Sequence, residues 1–124
     1  MRLYLTGHDC RYAAEQTLLT LFPGEKPEYP GGKPQGDRCE LTMRRGAGYT
    51  TCSCRLIQGG LVYTGRAAVK NTSFTDDLAE NRLKQRIVKL AFYRAALRSG
   101  VPEPEWGSLT GVRPAKLLSA YLKN

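Results

Sequence analysis

The sequence predicts an α+β fold, a two-layer sandwich in which an antiparallel sheet of about four strands carries its helices on one face, in the order β-α-β-β-β-α-α. Three observations predict it. Apolar and polar residues alternate with a period of two in three closely spaced runs between residues 39 and 69, separated by the turn signals Gly46-Ala47-Gly48 and Gln58-Gly59-Gly60. Apolar residues recur at helical spacing after Thr75. A chain of 124 residues with 41% hydrophobic and 24% charged content suits one domain that buries a core without disulfides or a metal.

The first strand is expected over residues 2–6, with Leu3 and Leu5 facing one way and Arg2, Tyr4 and Thr6 the other. Asp9 offers an N-cap for a helix over residues 10–22, with Ala13, Leu18, Leu21 and Phe22 apolar and Pro23-Gly24 ending it. Residues 23–36 hold four prolines and four glycines, a composition that sustains neither a helix nor a central strand and reads as a long mobile loop. Three strands follow. Cys39, Leu41 and Met43 alternate with Glu40, Thr42 and Arg44; Cys52, Cys54 and Leu56 alternate with Thr51, Ser53 and Arg55. In the third, Leu61, Tyr63, Ala67 and Val69 oppose Val62, Thr64, Arg66 and Ala68. A long helix is then expected from Thr75 as N-cap, with Asp76, Asp77 and Glu80 suiting its dipole and Leu83, Ile87, Leu90, Ala91 and Leu97 on its inner face. Pro114 opens a last short helix over residues 114–122. Residues 1–105 therefore form the domain, and residues 106–124 a distinctive exit segment.

The net charge of +8 is uneven. Residues 1–36 are neutral, with four basic and four acidic side chains, whereas residues 37–69 carry +3 and residues 70–124 carry +5. Such a field attracts nucleic acid, an anionic ligand or an acidic partner. No stretch approaches the length of an apolar membrane span, and the polar run after Met1 lacks the core of a secretory signal, so a cytoplasmic location is expected. Four cysteines, Cys10, Cys39, Cys52 and Cys54, lack zinc-site spacing, and the single histidine, His8, supplies no partner set. Cys39, Cys52 and Cys54 read as small core residues; Cys10 stands at a helix start, where a lowered pKa would be its route to reactivity. No metal site is expected in this chain.

Catalytic motifs are missing as well. The chain contains no phosphate-binding P-loop, no dinucleotide fingerprint after a strand and no zinc-protease helix motif, and Gly46-x-Gly48 precedes a strand rather than a helix. Two basic arrangements remain. Arg2, Arg44, Arg55 and Arg66 fall on the strand face opposite the apolar set, a surface able to take an anion. RNA binding there is the weaker alternative, because Tyr4 alone is available for base stacking. Arg82, Arg86, Lys89 and Tyr93 form one helical stripe, expected to face solvent.

The most specific string is Trp106-Gly107-Ser108-Leu109-Thr110-Gly111-Val112-Arg113-Pro114-Ala115-Lys116-Leu117. Gly107 and Gly111 permit tight turns, Pro114 fixes a helix start, and Arg113 and Lys116 bring positive charge to a first turn where the dipole disfavours it, which points to a partner anion or carboxylate. This string resembles the segment just ahead of the catalytic domain in HemZ-type radical SAM proteins, relatives of oxygen-independent coproporphyrinogen III oxidase. The resemblance is tight over residues 106–118 and loose elsewhere. It implies a non-catalytic N-terminal accessory domain that docks on or gates a downstream radical SAM barrel through Trp106, Gly107, Thr110, Gly111, Arg113, Pro114 and Lys116. It further implies that the parent binds a 4Fe-4S cluster and S-adenosylmethionine and acts on a porphyrinogen, as an oxidase, or else belongs with the haem chaperones that share the cluster motif. The cluster's C-x₃-C-x₂-C motif is not in this chain, whose cysteines are separated by 28, 12 and 1 residues, so no cofactor is expected here. A porphyrinogen's carboxylates are a further candidate ligand for the basic residues.

Overall fold

A computed structural model describes residues 1–101; the string at 106–116 and the helix expected over 114–122 lie outside the described residues. Strand β1 (Arg2–Thr6) leads to helix α1 (Arg11–Leu21), followed by strands β2 (Arg38–Arg45), β3 (Tyr49–Gln58) and β4 (Leu61–Lys70), a short 3₁₀ turn (Asn71–Ser73) and helix α2 (Asp77–Arg98). The four strands form one sheet in sequence order. The α+β sandwich expected from the sequence is thus the fold, with one correction. β1 pairs with β2 in parallel, Leu3 opposite Cys39 and Leu5 opposite Leu41, so the sheet is mixed. The cause is the connection: α1 and the proline-rich segment return the chain to the end of the sheet where it began, whereas the short turns elsewhere force antiparallel pairing.

The period-two pattern sorts the strands into two faces. Leu3, Cys39, Leu41, Met43, Cys52, Cys54, Leu56 and Ala67 are buried on the inner face, beneath the helices. α2 crosses β4 and β3 and packs on α1. Gly65 makes that crossing possible: a Cβ there would stand 2.3 Å from the Ala91 carbonyl oxygen and 2.5 Å from the Ala95 nitrogen. Gly7, with φ of 80°, turns the chain out of β1 so closely beneath β2 that a Cβ would meet the Met43 carbonyl oxygen at 2.2 Å.

Both helix starts differ from expectation. α1 has Cys10, not Asp9, at its N-cap, and Cys10 supplies no side-chain bond. The orphan Ala13 N–H instead donates to Oε1 of Gln85 on α2, 3.1 Å away, a cap supplied by tertiary packing. α2 is capped by Asp76 rather than Thr75, its carboxylate accepting from the Ala79 N–H at 2.7 Å. Leu61, expected inside, is 61% exposed, because it lies at the β3–β4 turn beyond the cover of α2. Tyr93, expected in the solvent-facing stripe, is 1% exposed, and Ile87, Val88, Leu90, Ala91 and Phe92 around it are buried, so this half of α2 is enclosed on most of its circumference.

The proline-rich segment has neither helix nor strand, and several bonds tie it down. The Met1 ammonium donates to Glu25 and to the Lys26 carbonyl, the Leu3 N–H to the Glu28 carbonyl, and Arg2 to the Gln35 carbonyl. Asn71 fastens the opposite end of the sheet. Its amide donates to the Gly46 carbonyl and accepts from the buried Thr50 hydroxyl, locking the β2–β3 turn to the end of β4. No helix among the described residues is long and apolar enough to cross a membrane.

Candidate functional site

With α1 and α2 both on the inner face, no helix among the described residues covers the outer face of the sheet. Pairing of β2, β3 and β4 arranges its side chains in rows: Glu40, Arg55 and Thr64; then Thr42, Ser53 and Arg66; then Arg44, Thr51 and Ala68. Alternation along each strand puts all nine on the same face, and they are exposed or half-buried. An open depression of about 700 Å³ lies over these rows, lined by Arg44, Arg55 and Arg66 with Thr42, Thr51 and Ser53, and rimmed by the Gly46–Gly48 turn and Tyr49. Three of the four arginines read from the sequence as a basic face therefore converge.

Arg2 does not join them. Its guanidinium turns to the Gln35 carbonyl, 2.8 Å away, and its Cα pairs with Arg38 at the other end of the sheet, where Ile57 is 8% exposed. Among the described residues Glu40 is the one carboxylate lining the depression, and it is already engaged, 2.5 Å from Arg38 and 3.4 Å from Arg55. Among the described residues, the Arg44 and Arg66 guanidinium groups meet no acceptor within bonding distance. Two fully available arginines and one shared arginine face a single neutralised carboxylate, which makes the depression electropositive. Tyr49, 53% exposed at its rim, is an aromatic that the sequence reading passed over. The signal was present: it stands one residue before Thr50 and three before Cys52, odd steps that place it on the arginine face with Thr51, Ser53 and Arg55. Of the helical stripe, Arg82 is exposed, Arg86 and Lys89 are half-buried, and burial lowers the Lys89 pKa.

A second hollow, of about 750 Å³, lies beside β1 against Tyr4, His8, Asp9, Arg11 and Tyr29. Three of these residues, His8, Arg11 and Tyr29, are committed to structure. The Tyr29 hydroxyl donates to Glu15, Arg11 stacks 4.5 Å over the Tyr29 ring, and His8 bridges two backbones. His8 Nδ1 accepts from the Cys10 N–H at 3.0 Å, so its proton sits on Nε2 and is donated to the Leu41 carbonyl, also at 3.0 Å. Burial holds its pKa below the usual 6.5, against the Leu41 bond, which raises it. The folded chain therefore resists a proton that the unfolded chain accepts. Stability from this residue is complete above about pH 6.5 and falls as the pH drops through the folded value. Urea melts across that range are expected to show a steeper loss for the wild type than for His8→Gln; equal slopes would assign His8 no such role.

The cysteines do not form a site. Burial pushes the Cys54 thiol well up, with its bond to Cys39 adding to the effect, takes Cys52 to about 12, and raises Cys10 despite its place at a helix start. Cys39 and Cys54 touch, Sγ to Sγ, at 3.5 Å within the closed core. Thiols so held do not fit an iron–sulfur cluster, and among the described residues no three His, Cys, Asp or Glu side chains converge as metal ligands would. What the outer sheet face offers chemically is positive charge and hydrogen-bond donors, from Arg44, Arg55 and Arg66 and from the hydroxyls of Thr42, Thr51 and Ser53. Comparison of the chain with family models, with curated proteins and with solved structures gives no match.

Proposed function

We propose that this chain is the non-catalytic N-terminal domain of a radical SAM protein of the coproporphyrinogen III oxidase type, docking on or gating its catalytic barrel through residues 106–116. The observation that carries the reading is the string from Trp106 to Leu117, which joins an aromatic residue, two glycines and the Arg113-Pro114 step to a further cation, Lys116. Trp106 fills an apolar groove on the barrel, and Arg113 pairs with a carboxylate across the interface. The barrel, not this chain, holds the 4Fe-4S cluster and S-adenosylmethionine. Two features support a recognition role for the N-terminal part: its open face gathers cations rather than a nucleophile and base, and its thiols are closed in the core. The parent acts in the cytoplasm on a porphyrinogen.

The test is made on the full-length gene product. Its reading frame beyond codon 124 is expected to encode C-x₃-C-x₂-C, and Trp106→Ala with Arg113→Ala to lower cluster retention and coproporphyrinogen III turnover together. A frame without the motif, or variants that retain both properties in full, would overturn the reading. Haem binding without turnover in the unaltered product would assign the parent to the chaperone branch.

A further inference from the structure

We propose that the depression on the outer sheet face binds a small polyanion through one of its oxyanion groups, a phosphate or a carboxylate, held by Arg44, Arg55 and Arg66 above the hydroxyls of Thr42, Thr51 and Ser53. The site rests on the sheet and not on the string at 106–116, so it stands or falls independently of the parentage proposed above.

Strand register builds it. Ser53 is the centre of the middle row, flanked by Thr42 and Arg66; Arg44 and Thr51 lie in the next row on one side, Arg55 in the next row on the other. β2, β3 and β4 thus contribute one arginine each, on three successive rows. A strand spacing of about 4.8 Å and a two-residue step of about 6.8 Å put the Cα atoms of Arg55 and Arg66 roughly 8 Å apart, and those of Arg44 and Arg66 roughly 12 Å apart. Arginine side chains are long enough to reach over the gap from those anchors. The floor between them is made of short hydroxyl side chains, which leave room for a ligand and donate to it.

The charge is uncompensated where it matters. Arg44 and Arg66 have no acceptor among the described residues, and Glu40 is held between Arg38 and Arg55. A guanidinium presents its donors in a planar fork that matches phosphate and carboxylate oxygens, so an oxyanion satisfies two of these groups at once. The composition of the surface argues for a small ligand over single-stranded RNA. A nucleic-acid platform stacks successive bases on several aromatics, whereas among the described residues Tyr49 is the one aromatic lining the depression and it stands at the rim.

The 124-residue chain, isotopically labelled, is titrated at low ionic strength with inorganic pyrophosphate and, separately, with citrate, while backbone amide resonances are followed. Saturable shifts at Thr42, Thr51 and Ser53 are expected with at least one of them; the stronger ligand tells phosphate from carboxylate. Arg44→Gln and Arg66→Gln should each weaken that binding about tenfold, the value of roughly one charge-assisted hydrogen bond, while Arg2→Gln leaves it unchanged. Both altered arginines are exposed, and matching thermal melts verify that the variants are folded. The proposal is overturned if neither anion gives a saturable response, or if the response ignores Arg44 and Arg66. It is also overturned if an RNA oligomer binds these residues while both small anions fail.

Discussion

Gly65→Ala is expected to destabilise the chain by about 3 kcal/mol, read as a lower urea midpoint. The effect is large because the new methyl group meets backbone on both sides, the Ala91 carbonyl oxygen at 2.3 Å and the Ala95 nitrogen at 2.5 Å, and neither can step aside without lifting α2 from β4. Loss of that contact would loosen the layer that buries Cys54, Leu56 and Ala67. Gly48→Ala is the matched control. Its Cβ would meet nothing within 4 Å and its φ is not positive, so the change is expected to be neutral or mildly stabilising. Equal midpoints for Gly65→Ala and Gly48→Ala would mean that α2 does not lie this close to the sheet.

The thiols carry the second large effect. Raising Cys52 from 9.0 to about 12 reduces its thiolate fraction near neutral pH by about a thousandfold, and only the thiolate attacks a disulfide reagent. Cys54 is pushed in the same direction, and Cys10 and Cys39 are buried with it. Native chain mixed with an aromatic disulfide reagent is expected to release colour only as slowly as it opens. In denaturant all four cysteines should react promptly. Rapid labelling of any one of them in the folded chain would contradict a closed core beneath the sheet.

These two predictions mark where the sequence was legible and where it was not. Strand positions were readable within a residue or two, because the period of two needs no knowledge of partners: Cys39, Leu41 and Met43 can face inward only if Thr42 and Arg44 face outward. The basic face followed from the same alternation, and the structure keeps Arg44, Arg55 and Arg66 together. The direction of β1 depended on where its connection led, which local pattern does not encode. The cap of α1 by Gln85 spans 72 positions, and no local signal marks it. Gly65 carried no local mark of its role, which is to admit a helix whose place in the fold is a tertiary fact. Tyr93 was placed by its neighbours' charge, although a large aromatic one turn from Leu90 and Leu97 on α2 gains more from burial than Arg86 and Lys89 gain by its company. The exit string, with Arg113, Pro114 and Lys116, lies outside the described residues.

In the proposed function this chain recognises while a neighbouring domain reacts. Anaerobic iron reconstitution tests it most directly, applied side by side to the 124-residue chain and to the full-length gene product. No iron is expected on the 124-residue chain, and one 4Fe-4S cluster on the full-length product. Stoichiometric iron on the 124-residue chain, or a full-length product that holds no cluster, would contradict it.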